Sequence, residues 1–515
     1  MSLLVAAVFL PALVGVVALV RRHALRGAVA ARAGVGASVV SLALLLAAWL
    51  TRDSAAFAGE VDVRWIEAIG VRWHLGIDGI SFPLALMTAF LSALACWSLI
   101  DDAPQEQLPD DPAEPSPDPE QSIVMLVALV LVIQSAALGV FSALDLLVFF
   151  IFFELALVPM WFVINRWGDP HDREGRRVAA TRFLLFTVLG SALMLVGFIV
   201  IALSAGSLQI PDLAAQAPAL TGTVPLLGAV AIAVGLSVKA PVWPLHIWLP
   251  DAHSAAPTVG SVLLAGVFLK LGTYGLIRVL VGIAPEPSAT LAPYLGAFAV
   301  VGIIYASLAC LGQRDLKRLI AYSSVGHMGF VVLGIATMSP VGIAAAVYAS
   351  VAHGLITGML FFHAGGLKRR YGAATFAVLG RGLYARAPWL AVSFAFAAIA
   401  SLGLPGLGGF WGEMLSLRSA YEVGPVLERG LAWTLLGVAA VGVVLTSAYV
   451  VVILRRLLQG VPTPDDRDQD LTVQVRSEVG ISALLVVSIV VLGLAPGLLV
   501  GVIEPSLPAV LGGGR

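Results

Sequence analysis

The chain is 515 residues long, 59% hydrophobic and only 12% charged, with mean hydropathy +0.97. A soluble domain carries about 25% charged residues and about 45–50% apolar ones, so this chain lacks the polar surface to wrap a water-facing globule. A soluble single domain, a disordered chain and a nucleic-acid binder are excluded, and a formal net charge of −1 points to no polyanionic partner.

Runs of about 20 apolar residues, enough to cross roughly 30 Å of hydrocarbon, recur along the chain. They fall near 3–20, 33–50, 79–99, 122–143, 146–165, 183–205, 222–245, 258–281, 291–312, 318–337, 341–365, 387–416, 430–454 and 479–502. The pattern predicts an all-α polytopic membrane protein with about 14 transmembrane helices. The first run is followed, not preceded, by Arg21 and Arg22, the wrong order for a secretory or twin-arginine signal, and it reads as a retained membrane helix. Residues 61–78 alternate apolar and polar around Ile69-Gly70, which predicts a small external hairpin. Residues 101–120 hold eight acids, six prolines and no base, a composition expected to be disordered. The resulting organisation is a three-helix segment (1–100), the acidic loop (101–120), a helical core (121–456) and a C-terminal loop with the last helix (457–515).

Loops after odd-numbered helices carry 21 basic residues, those after even-numbered helices only 7. This asymmetry is a positive-inside signal. It places the odd loops in the cytoplasm and both termini on the outer side of a bacterial plasma membrane. The count leaves Lys239 and Lys270 inside predicted helices, in a chain with only four lysines among its 30 basic residues. Arginine keeps its proton under all accessible conditions, whereas a desolvated lysine can release one. Lys270 lies about 12 residues into its helix, about 18 Å at 1.5 Å per residue, near the midplane of the core. Glu154 (in FFELALVPM) and Glu413 (in GGFWGEML) are intramembrane acids, which cost several kcal/mol unless paired or hydrated. His327 and His353 add groups that titrate near neutral pH. His363 reads as a helix–helix hydrogen-bonding residue. His246 and His253 flank Asp251 without a common metal-ligand spacing and read as part of a hydrated loop. Cys96 and Cys310 form no C-x-x-C pair and read as small buried residues, so no metal or cluster is expected in this chain.

Two helices are interrupted. Pro241 has no N–H and displaces the carbonyl of Ser237, two residues from Lys239, and Pro405 does the same to Ser401 ahead of Glu413. Freed carbonyls inside a membrane are tolerated only beside protein or water. The breaks fall in the seventh and twelfth helices. If helices 4–8 and 9–13 are two copies of a five-helix unit, both breaks take the fourth place, and an odd-numbered unit repeated in tandem is inverted. Inverted repeats with paired broken helices are a transporter architecture. Titratable groups strung along the midplane suit protons better than larger solutes. No phosphate-cradling loop, dinucleotide fingerprint or cluster ligands are present, so the driving energy comes from ion exchange or from another subunit.

The FFELALVPM segment (152–160), the run from Ser237 to Arg278 and DLKRLIAYSSVGHMGF (315–330) resemble the antiporter-like membrane subunits of respiratory complex I, the NADH:quinone oxidoreductase. The likeness covers nearly the whole chain and is nearest to the M type, the counterpart of mitochondrial subunit 4, because Glu413 stands where the related subunits usually carry lysine. The resemblance implies that Glu154 pairs with Lys239, that Lys239 is the proton carrier of a first half-channel, and that Lys270, His327 and His353 lead to Glu413 in a second. It implies flavin and Fe–S clusters in partner subunits, no cofactor in this chain, and L-type and N-type antiporter-like neighbours. The alternative is an Mrp-type sodium/proton antiporter subunit, which shares the central motifs. The acidic loop has no counterpart in the family pattern.

Overall fold

The computed structural model describes residues 2–52, 56–101, 118–422, 424–460 and 476–512. Most of the acidic loop, residues 102–117, lies outside the described residues. Its C-terminal end is described: Asp118 caps the next helix by accepting from the Glu120 amide at 3.1 Å.

The elements in chain order begin with α1 (Leu3–Val20), α2 (Gly27–Leu50), β1 (Ala58–Ile66), β2 (Val71–Ile77) and α3 (Ser81–Ser98). Then come α4 (Pro119–Ser142), α5 (Leu146–Leu155), α6 (Leu157–Trp167), α7 (Arg173–Ala205), α8 (Ile210–Gln216), α9 (Thr223–Lys239) and α10 (Trp248–Ala255). A continuous span Thr258–Val281 contains α11 (Thr258–Leu263) and α12 (Leu269–Gly275), each followed by a π-helical stretch. It leads to α13 (Pro285–Gly312), α14 (Leu316–Ala336), α15 (Pro340–Tyr371), α16 (Phe376–Leu379) and α17 (Leu383–Arg386). The chain continues through α18 (Pro388–Ser401), α19 (Gly408–Tyr421), α20 (Arg429–Leu458), α21 (Arg476–Leu494), α22 (Gly497–Ile503) and α23 (Leu507–Leu511). Among the described residues, 12 helices are long and apolar enough to cross a membrane. Two of the remaining apolar stretches, α9 and α18, are the shorter arms of the interrupted helices.

The predicted hairpin is present, starting slightly earlier than its alternation suggested. β1 and β2 pair antiparallel with Arg64 opposite Arg72, and Gly70 turns the chain at φ 71°. The hairpin is locked onto the bundle by His74, whose ring nitrogens lie 2.9 Å from Gln209 Oε1 and 2.8 Å from Glu60 Oε1. Gln209 in turn donates to the Asp145 carboxylate.

Helix packing rests on small residues, because lipid tails give no hydrophobic drive between helices. Gly190 and Gly197 on α7 meet Gly235 and Gly228 on antiparallel α9. A Cβ added at Gly235 would lie 2.3 Å from the Gly190 carbonyl, and one at Gly197 would lie 2.6 Å from that of Gly228.

One local arrangement occurs twice. Asp145 caps α5, accepting from Leu147 and Val148. Beside it the backbone forms two bonds, Leu146 N to Leu208 O and Ile210 N to Leu144 O. Asp315 caps α14, accepting from Arg318 at 2.8 Å. Beside it run the bonds Leu316 N to Ala374 O and Phe376 N to Arg314 O. The first copy stands at the hairpin end of the bundle. The second stands among the basic loops, which converge on the other end: Asp251 binds Arg182 and Arg318, and Lys368 binds Asp169.

Candidate functional site

The first site forms where α9 stops. Pro241 cannot donate to Ser237, and the freed carbonyl is taken one residue later by the Val242 amide at 3.0 Å. The next carbonyl, Val238 O, accepts from the Trp248 indole at 2.9 Å. Both of these carbonyls are thereby satisfied within the protein, and Lys239 ends the helix with 1% exposure. Its Nζ lies 3.4 Å from the Phe153 carbonyl. It also lies 4.1 Å from the centroid of the Phe153 ring and 5.0 Å from that of Phe268, an arrangement in which the ring faces attract an ammonium. Phe153 lies near the junction of α5 and α6, where Pro159 has no N–H to bond the Leu155 carbonyl. Glu154 is half-buried, with Oε1 unpartnered among the described residues. It is not in ion-pair contact with Lys239 in this conformation, but acts on it through the Coulomb field.

The second site is a row of four buried or nearly buried side chains. The Lys270 span packs tightly on the end of α9, where a Cβ added at Gly272 would lie 2.5 Å from the Ala240 nitrogen. Lys270 is fully buried. Its Nζ donates to the Ala265 carbonyl of the π-helical turn and lies 2.6 Å from His353 Nδ1. The His353 and His327 rings are 5.7 Å apart. His327 Nδ1 lies 2.9 Å from Glu413 Oε1. A cavity of about 20 Å³, measured as space for the centre of a water, is lined by His327, His353, Thr357, Ser401 and Glu413. That is room for about one water, which needs at least about 10–15 Å³ on this measure. Glu413 reaches the cavity because the chain between α18 and α19 turns through positive φ at Gly403 (75°) and Gly406 (91°). A Cβ at Gly403 would lie 2.9 Å from Glu413 Oε2.

The structure therefore gathers Lys270, His353, His327 and Glu413 into one row and sets Lys239 and Glu154 beside its start, where the Lys270 span packs on the end of α9. Pro241 and Pro405 lie at the breaks expected of them. His363 bonds Ser393 across α15 and α18 at 2.9 Å, and both cysteines are buried and free.

Three expectations need correction. Arg278, assigned to an external loop, lies within the span Thr258–Val281 at 4% exposure and forms a buried ion pair with Asp78. Lys317, assigned to a basic loop, is 1% exposed and donates to the Ala256 carbonyl. His246 lies in the turn before α10 and His253 within α10, and both are buried rather than in a hydrated loop. His253 is wholly buried and stacked on Phe361 at 4.5 Å. Each correction has one cause: a charge is assigned to water by its position in the chain, whereas a partner distant in sequence decides whether it is buried. The pairing of Asp78 with Arg278, 200 residues apart, leaves no local signal. A short D-G-I-S turn at a helix start is the only hint of Asp78.

The family model described as "NADH:quinone oxidoreductase/Mrp antiporter, TM" matches residues 143–440. NAD(P)H-quinone oxidoreductase chain 4 1 of Synechococcus sp. (strain JA-2-3B'a(2-13)) is 38% identical over 84% of this chain and 78% of its own length. NADH-quinone oxidoreductase subunit M of Rhodobacter capsulatus is 36% identical over 87% of this chain and 83% of its own. Among solved structures, a chain of respiratory complex I from Thermus thermophilus with bound NADH superposes with TM-score 0.84 and 29% identity over 99% of both chains. A chain of the Mrp complex from Dietzia sp. DQ12-45-1b shares the fold, with TM-score 0.83 at 20% identity over 100% of this chain and 98% of that one. The chain is a multi-pass membrane protein and belongs to the family of antiporter-like membrane subunits of NADH:quinone oxidoreductase and Mrp antiporters.

Proposed function

We propose that this chain is the M-type proton-translocating subunit of a bacterial NADH:quinone oxidoreductase, seated between L-type and N-type neighbours and driven by redox chemistry in other subunits. The observation that carries the reading is the buried row Lys270–His353–His327–Glu413, hydrogen-bonded at both ends, with a water-sized cavity against the two histidine rings and Glu413. Groups within hydrogen-bond reach, or one water apart, can pass a proton. Lys239 and Glu154 form the first half-channel. When Lys239 is protonated, the Phe153 carbonyl and two ring faces stabilise its charge. Loss or gain of charge on Glu154 alters how tightly Lys239 holds that proton. The proton passes to Lys270, then along the histidines to Glu413, which opens the exit half-channel. Flavin and Fe–S chemistry belongs to partner subunits.

The repeated cap-and-bridge at Asp145 and Asp315, at opposite ends of the bundle, supports two inverted five-helix copies within a fold of 14 crossings. In that count the interrupted pairs α9/α10 and α18/α19 are the seventh and twelfth crossings. The convergence of the basic loops on one end supports a cytoplasmic location for that end, with both termini outside.

The test is proton pumping coupled to NADH oxidation in membranes carrying Lys239→Ala or Glu154→Ala. Pumping should fall about a hundredfold or more for Lys239→Ala, the range for loss of a proton-transfer group, and less for Glu154→Ala. Unchanged pumping and oxidation in both variants would refute the relay.

A further inference from the structure

We propose that Lys317 and His253 form a proton-uptake branch joining the basic end of the bundle to Lys270. The inference rests on the relay reading above and adds the route by which it is loaded.

His253 has no exposed surface, and neither ring nitrogen has a hydrogen-bond partner among the described residues. A buried imidazole with both nitrogens bare needs a water or a proton-exchanging neighbour. Two such neighbours, Lys270 and Lys317, lie near enough to act on it electrostatically. Lys317 is itself buried, held by the Ala256 carbonyl at the end of α10. Beyond it stands the half-buried pair Lys368–Asp169 at 2.6 Å, both members of which act on Lys317. The Asp169 amide donates to the Ala255 carbonyl at 2.8 Å, which fixes this pair to the same helix end. The groups thus follow one another from the basic end inward: Asp169 with Lys368, Lys317, His253, Lys270.

Residue type supports the assignment. The chain holds only four lysines, and two of them, Lys317 and Lys368, stand on this line at an end otherwise supplied with arginine. Arginine does not release a proton, and lysine does.

In the step itself, an N–H bond of the Lys317 ammonium breaks and its proton passes through one interposed water to a bare nitrogen of His253. The opposite nitrogen releases a proton to the neutral amine of Lys270, which becomes an ammonium. Lys317 recovers a proton from water at the Asp169–Lys368 pair. One proton moves inward and no electrons are exchanged.

The test uses the whole complex reconstituted in proteoliposomes, with proton pumping and quinone-linked NADH oxidation read together. NADH oxidation by an artificial electron acceptor reports assembly. Lys317→Arg keeps the charge and the bond to Ala256 but not the releasable proton. It should lower pumping at least fivefold, as should Lys317→Met, with the artificial-acceptor rate unchanged. Wild-type pumping in Lys317→Arg would show a charge-holding role and overturn the branch. If either Lys317 variant fails to assemble, the double variant Asp169→Asn/Lys368→Met at the rim decides. It should slow pumping at least twofold, and a wild-type rate would overturn the proposal. Lost pumping in Lys239→Ala beside full pumping in Lys317→Arg removes the uptake branch alone, whereas full pumping in both removes the relay.

Discussion

At the scale of single residues, the chemistry is set by which buried groups find a partner. Lys270 and Glu413 each sit against a histidine, so neither is an isolated charge in a region where isolation costs several kcal/mol. Lys239 has only a carbonyl and two ring faces, a weaker cage suited to a group that gains and loses its proton. Position 413 tests whether the line needs a titratable group or a carboxylate. Glu413→Lys should retain more pumping than Glu413→Ala, because lysine restores an exchangeable proton beside His327. Equal loss in the two variants, measured by proton uptake in reconstituted vesicles, would show that the carboxylate itself is required. The six residues proposed for the relay stand out in the sequence, since each is an ionisable residue in an apolar run. Their contacts do not: nothing near Lys270 announces that it meets His353, 83 positions away. Arg278 and Lys317 were missed for the converse reason, as each lies near a helix end, where a snorkelling or solvated charge is the ordinary expectation.

At the scale of elements, glycine and proline decide the geometry. Pro241 and Pro405 stop their helices as their missing N–H groups require, and the sequence shows both. The repair of the first break by Val242 and Trp248 depends on a run of turns between α9 and α10 that no periodicity reports. The glycine pairs between α7 and α9 fix the distance at which Lys239 is held. Gly235→Val would put its Cβ into the Gly190 carbonyl. This overpacking should cost about 1–3 kcal/mol and lower the thermal stability of the assembled complex, while Gly437→Ala, whose Cβ would meet no atom within 4 Å, should leave it unchanged. A Gly235→Val complex as stable as wild type would contradict the close packing.

At the scale of the molecule, the two ends differ in charge and in what they hold together. The hairpin end is tied by the His74–Gln209–Asp145 network, the basic end by salt bridges between elements far apart in sequence. The asymmetry of basic residues was readable from the chain; the acids that receive them, Asp169, Asp251 and Glu478, were not, because they lie on different elements, far in sequence from most of their partners. Burial works against the Asp169 charge, but the hydrogen bond and ammonium of Lys368 outweigh it and hold the carboxyl below its usual range. A depressed folded-state value stabilises the fold above the unfolded value of about 4 and is lost only as pH falls through the folded one. Asp169→Asn should therefore lower the melting temperature of the complex by the same amount at about pH 7 and about pH 5.5, both above that window. A gap that closes between those values would contradict the assignment.

The whole account depends on the buried line carrying protons, and His353 is the link between its two halves. The most direct measurement is the number of protons pumped per NADH oxidised by complexes carrying His353→Leu, a substitution of similar size on a helix that packs on several others. The account predicts an assembled complex whose pumped protons per NADH fall clearly below wild type. An unchanged ratio at an unchanged oxidation rate would contradict it.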